Sequence, residues 1–389
     1  MMERKYFIDW IRVLAFFLLI FFHCTMPFVT FGWEIKNTEQ SASLSSIIFW
    51  LHQWRLPLLF FISGVGIHFS LNKRSVLSFA LERVIRLLIP LLFAMFFVIP
   101  LQVYYEKLQT GQITSSYIKF YPTVWNMIPY PDGTLNWSHM WFVVYLFVYC
   151  ILLLPVFGLF KINTLKRWKE FIANKLSSSI AATLLFIPLA ICFFTLYLEW
   201  PEQLGLLDDW FVFTFSLTLL LLGYVLGGSA RFWDTCEKYR THFLIIAVVC
   251  IMVLFYNYWW KLDIPKQKDF RFYVYGIVNA IHIWLLIMAI AGYAKKYLNY
   301  SSRFLQYANQ AVYPFYILHQ TLIVAFGFYI VQWPLPIFIK IILLLISCFA
   351  ALVIIYQWVI KPFVLTRILY GLKPKEKKLI PPGKSNDHS

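Results

Sequence analysis

Apolar runs of membrane-spanning length recur from one end of this 389-residue chain to the other, and no other feature restricts its fold so severely. A bilayer core needs about 20 apolar residues per helix. Lipid offers no water to satisfy a backbone amide or carbonyl, so only helices or a closed barrel can cross it. The runs are continuous rather than alternating, which argues against spanning strands. Hydrophobic residues make up 61% of the chain and charged residues only 13%, against about 25% charged in an ordinary soluble domain. The expected fold is all-α and polytopic.

About ten spans are expected, at 7–31, 46–71, 80–103, 138–160, 180–199, 210–229, 242–261, 271–294, 305–331 and 335–363. A polar, aromatic loop fills 104–137. The first run is long, carries polar residues and has no small-residue cleavage site, so it reads as a retained helix rather than a signal peptide. Residues 1–372 form one expected membrane-embedded domain. The charged, proline-containing tail 373–389 is expected to be disordered.

Basic residues set the orientation. Most of the 34 Lys and Arg fall in alternate connections, such as "NKRS", "KINTLKRWKE" and "YAKKYL", while the loops 199–209 and 332–336 have none. The positive-inside rule then puts both termini in the cytoplasm. The same asymmetry accounts for the formal charge of +16 without a nucleic-acid partner, and no nucleic-acid-binding motif is present. The six cysteines show no CxxC pair and no metal-ligand spacing, so neither a disulfide framework nor a metal site is expected.

Against this apolar background the polar residues inside spans stand out. In "DWIRVLAFFLLIFFHC", Arg12 and His23 are 11 residues apart, about 20° from three full turns, which puts them on one stripe roughly 16 Å apart along the axis. Asp9 lies one turn before Arg12, within pairing reach. Such residues in a membrane helix point to function by default. A simple interfacial ion pair with a hydrogen-bonded histidine would also explain them.

Four more stretches carry similar groups. "HQWRLPLLFFISG" offers Arg55 one turn after His52; Arg55 either faces a polar interior or snorkels to the interface. In "ERVIRLLIP", Arg83 and Arg86 share a face at the basic end of the third span. Two arginines at a helix N-terminus suit a phosphate-bearing ligand, or lipid phosphate. "SHMWFVVYL" sets His139 to meet something arriving from outside. "YPFYILHQ" sets His319 one turn from Tyr316. His282 is similarly deep.

Taken in order, "YFIDWIRVLAFFLLIFFH", "WRLPLLFFISG", "ERVIRLLIP", "SHMWFVVYL" and "YPFYILHQ" resemble the acyltransferase 3 family of membrane acyltransferases. That family includes O-antigen and peptidoglycan O-acetylases and the succinyltransferases of osmoregulated periplasmic glucans, and the resemblance is nearest to the last branch. The family's Arg-x10-His motif falls on Arg12 and His23, and its Arg-x-x-Arg motif on Arg83 and Arg86. The resemblance implies that Arg83 and Arg86 hold the phosphates of acyl-coenzyme A and that His23 serves the transfer.

The expected function is an O-acyltransferase of the bacterial inner membrane. It would carry an acetyl or succinyl group from cytoplasmic acyl-CoA to a hydroxyl of an extracytoplasmic glycan or glycolipid. No permanently bound cofactor is expected; the partners are acyl-CoA, the glycan acceptor and membrane lipids. His23 would act as general base or, equally open, carry the acyl group in a covalent acyl-histidine relay; Asp9 would hold Arg12, and His319 with Tyr316 would orient the acceptor or relay the proton. Arg55 and His139 would meet the oxyanion or the acceptor. A pore lined by Asp9, Arg12 and His23 would join the two sides. The rival reading is a transporter of a small anion or an acylated glycolipid, which predicts paired, broken half-helices.

Overall fold

The computed structural model describes residues 4–374, so most of the expected tail, from 375 on, lies outside the described residues. Among the described residues, eight helices are long and apolar enough to cross a membrane. We number the principal helices α1 (Tyr6–Thr25), α2 (Ala42–Leu71), α3 (Val76–Gln109), α4 (Ser138–Leu152), α5 (Asn163–Leu176), α6 (Ser179–Leu196), α7 (Trp210–Leu226), α8 (Ala230–Trp259), α9 (Phe270–Tyr297), α10 (Arg303–Ile330), α11 (Ile337–Ile360) and α12 (Val364–Leu369). The chain is an all-α, multi-pass membrane protein. The shorter apolar helices α4 and α7 occupy the positions of the fourth and sixth expected spans.

The layout follows from burial. α1, α2, α9 and α10 are mostly buried, whereas only 28% of the best apolar window of α8 and of α11 is covered. The uncovered face of α11 carries Phe338, Ile346 and Val353. Apolar faces of that extent suit lipid rather than water. α1 packs against α10, α9 and α2, while α2 lies along α7 and α8 along α9.

The α2–α7 contact is a backbone approach set by two glycines. A methyl group on Gly64 would meet the Leu220 carbonyl oxygen at 1.9 Å, and one on Gly223 would meet the Phe61 carbonyl oxygen at 2.0 Å. Small residues allow membrane helices this close.

Three boundaries differ from expectation for local reasons. α8 begins at Ala230, well before the expected start near 242, because "CEKYR" contains good helix formers that continue the helix past the apolar run. α4 stops at Leu152, and a short helix Leu154–Leu159 follows. The expected loop from 104 is helical to Gln109. Within α3, π turns fill Val84–Leu88 and Ala94–Val98, each closed by the amide of an isoleucine, Ile89 or Ile99, that directly precedes a proline. Proline has no amide to donate, so the ladder is rearranged beside it.

Candidate active site

Cationic residues gather around a cavity of about 440 Å³ between α1, α2, α3, α4 and α10. Among the described residues, six cationic ones line it, Arg12, Lys73, Arg74, Arg83, Arg86 and Lys373, against one carboxylate, Glu82. Glu82 holds three of them. It pairs with Arg74, with Arg83 Nη2 at 3.0 Å and with Arg86 Nη1 at 3.5 Å. One carboxylate among three guanidiniums lets like charges sit together, and the excess positive charge suits a polyanion.

Arg12 enters the same cavity from α1. Its Nη1 donates to Asn309 Oδ1 at 3.2 Å and lies 3.6 Å from Asp9 Oδ1. The tighter partner of Asp9 is Arg4, at 2.8 Å. Asp9 therefore supports Arg12 through charge, while Asn309 fixes its direction.

The expected pore residues do not all share this cavity. The cavity is lined by Arg12 but not by His23; its apolar limit is set by Phe16, Phe142 and Tyr316. Tyr316 touches both regions. Its ring stacks on Tyr313 on the cavity side and on His319 on the other, with centroids at 6.4 and 5.7 Å. Its hydroxyl donates to the His139 carbonyl oxygen at 2.5 Å.

Beyond Tyr316 lies a histidine pair. His23 Nδ1 and His319 Nε2 are 3.0 Å apart, and His319 Nδ1 is 2.6 Å from the Tyr316 carbonyl oxygen. A carbonyl only accepts, so His319 Nδ1 carries a proton. In the neutral ring, Nε2 is then an acceptor. His23 Nδ1 donates to it, which leaves the lone pair of His23 on Nε2. Trp33 stacks over the His23 ring, 24° from parallel with centroids 6.5 Å apart.

His139 is buried rather than facing outward as expected. Its Nε2 donates to the Ile317 carbonyl oxygen at 3.1 Å, and its Nδ1 accepts from Gln102 Nε2 at 3.3 Å. Both ring nitrogens are thus engaged within the protein, and its own carbonyl anchors Tyr316. Gln102 also donates to Thr321 at 2.6 Å and accepts from Ser138 at 3.0 Å.

The connection between α1 and α2 roofs the pair. Glu34 Oε1 accepts from Gln320 Nε2 at 2.6 Å, and Glu34 Oε2 is buried without a partner. Burial raises the Glu34 carboxyl to about 7, against the lowering effect of its hydrogen bonds. The roof is tied down on two sides. Lys36 exchanges backbone hydrogen bonds with the Gln109 side chain at 2.8 and 3.0 Å, and Lys340 Nζ donates to Asn37 at 2.7 Å.

Arg55 does not snorkel. It is 1% exposed, its guanidinium lies 3.9 Å from the centre of the Phe22 ring, and its Nε and Nη1 have no partner. An uncompensated buried guanidinium is costly, and this one lies against the neighbour of His23. By contrast, His282 is used structurally, between Trp50 Nε1 at 3.1 Å and the Ala247 carbonyl at 3.2 Å.

Sequence reasoning missed Glu82, Asn309, Gln102, Gln320 and Glu34. Glu82 stands four residues before Arg86, so its pairing was visible in "ERVIR". The others act across separations of more than 200 residues or from a loop, where no local period points to them.

The family model described as "Acyltransferase domain", acyltransferase 3, matches residues 5–357. The chain belongs to this acyltransferase family. The matched region of the acyltransferase takes in both the histidine pair and the arginine cluster. It is also 23% identical to "Glucans biosynthesis protein C" of Shigella dysenteriae serotype 1 (strain Sd197) over 338 residues, which cover 84% of each chain. The same identity and coverage hold for the protein of that name from Escherichia coli (strain K12). No solved structure matches the acyltransferase.

Proposed function

We propose that this membrane acyltransferase moves an acetyl or succinyl group from cytoplasmic acyl-CoA to a hydroxyl of an extracytoplasmic glycan or glycolipid, in a bacterial inner membrane. The observation that carries this reading is the contact between His23 and His319, with its proton order fixed by the Tyr316 carbonyl. It leaves one unprotonated imidazole nitrogen, His23 Nε2, at the end of the stripe that begins in the cationic cavity. The name of the relatives, "Glucans biosynthesis protein C", supports a glycan as acceptor.

The chemistry runs as one displacement. The acceptor oxygen bonds to the thioester carbonyl carbon while His23 Nε2 takes its proton. The imidazolium stays hydrogen-bonded through Nδ1–H to His319 Nε2, which limits the cost of the new charge. The oxyanion calls for a fixed positive group, and Arg55 has unpartnered donors to offer. Collapse breaks the carbon–sulfur bond, and the thiolate recovers the proton from His23. Arg83 and Arg86, held by Glu82, bind the coenzyme phosphates, and Arg12 guides the arm.

Tyr316 stands between this cavity and His23, since it lines the one and stacks on His319, the partner of the other. The transporter alternative is less well supported. α2 and α10 continue as unbroken helices through Pro57 and Pro314, where that reading wants half-helices.

The test is purified protein with acetyl-CoA or succinyl-CoA, each with and without a glucan acceptor. Acceptor-dependent release of coenzyme A supports the reading. Transport of solute without thioester cleavage would replace it.

A further inference from the structure

The end of the described chain returns to the cationic cavity. After α12, Tyr370 packs edge-on against Phe93 with centroids at 5.3 Å, and both Tyr370 and Leu372 are buried. The turn between them is built around Gly371. Its φ is +70°, in the left-handed region that favours glycine. A methyl group there would lie 2.3 Å from Tyr313 Cε1 and 3.0 Å from the Arg86 carbonyl oxygen. Leu372 N donates to the Arg367 carbonyl at 2.7 Å, and Arg367 Nε donates to the Lys373 carbonyl at 2.9 Å. The segment is thus fastened from both sides.

Two of its residues bear on the cavity, one through a lining arginine and one directly. The Gly371 carbonyl accepts from Arg86 Nε at 3.2 Å, so it orients one of the two arginines assigned to the phosphates. Lys373 is itself a lining residue. Both stand beyond residue 357, where the family match ends. A contribution from here is therefore an addition to the matched acyltransferase core.

We propose that the turn after α12 is a wall of the donor site, in which Lys373 binds a phosphate of the coenzyme and the Gly371 carbonyl positions Arg86. This inference rests on the reading of the cavity as an acyl-CoA site. The ligand class is a nucleotide carrying several phosphates, recognised by a cluster whose only carboxylate, among the described lining residues, already serves three arginines. A cation added at the rim strengthens capture of such a polyanion and is sensitive to salt.

Calorimetry of the full-length protein in detergent tests it, with coenzyme A and pantetheine as ligands. Lys373→Ala should weaken coenzyme A binding by about threefold to tenfold and leave pantetheine binding unchanged. Lys373→Arg should restore affinity, Lys373→Glu should lower it further, and the gap between variants should narrow as salt rises. Gly371→Ala should weaken coenzyme A binding through Arg86 even with Lys373 present. If wild type binds coenzyme A and Arg83→Ala loses it while Lys373→Ala and Lys373→Glu bind as wild type, the inference is overturned and the donor site stands. If wild type does not bind coenzyme A at all, the donor reading fails and the inference falls with it.

Discussion

His23 Nδ1 lies 3.0 Å from His319 Nε2, and His319 is in turn fixed by a 2.6 Å contact to the Tyr316 carbonyl oxygen. Two histidines more than 290 positions apart in sequence share one proton, and its direction is set by a backbone carbonyl. On the proposed reading His319 positions His23. His319→Ala should lower the transfer rate by about 10²–10⁴ with little change in donor affinity. Single-turnover acyl transfer measures the first and calorimetry the second. A variant with wild-type turnover would detach His319 from the chemistry.

Glu82 gathers Arg74, Arg83 and Arg86. Glu82→Gln removes the carboxylate that offsets their mutual repulsion, so the cluster should splay, and coenzyme A affinity should change even though no cation is lost. The double change Arg83→Ala with Arg86→Ala should reduce affinity by at least about tenfold, the effect of about 1.4 kcal/mol. Titration calorimetry against coenzyme A reads both. Equal affinities across the set would remove this cavity as the donor site.

Glu34 gives a pH signature of known sign. Burial lifts its carboxyl to about 7 from an ordinary 4.5. Between those values the folded protein holds a proton that the unfolded chain has released, so stability falls as pH rises through that window. Glu34→Gln should flatten this part of the profile. Thermal unfolding of both proteins at several pH values from about 4 to 8 checks it. A wild-type profile that rises or stays level against the variant contradicts the assignment.

Gly223 sits 2.0 Å from the Phe61 carbonyl oxygen by the reach of an added methyl. Gly223→Val should force α7 off α2 and cost about 1–3 kcal/mol, as overpacking does. Gly66, which has open space at that point, should tolerate alanine without loss. Unfolding midpoints in detergent compare the two.

What the sequence revealed, and what it did not, follows from how each feature is encoded. The Arg12–His23 stripe was legible because a helix converts an 11-residue spacing into a direction. The arginines of "ERVIR" were legible for the same reason, and with the five ordered motifs they pointed to the family. The hydrogen bond from Arg12 to Asn309, the braced state of His139 and the roof made by Glu34 and Gln320 were not legible. Each depends on how distant helices meet, which leaves no local period. The pore was expected because a charged stripe can line a cavity, but a stripe on one helix says nothing about what faces it; Tyr316 faces it and lines the cavity that Arg12 enters.

The most direct test is single-turnover acyl transfer by His23→Ala, measured beside its coenzyme A affinity. The account predicts loss of transfer to near the uncatalysed level, with coenzyme A bound as in wild type, because His23 does not line the cationic cavity. Transfer at a near-normal rate by that variant would contradict it.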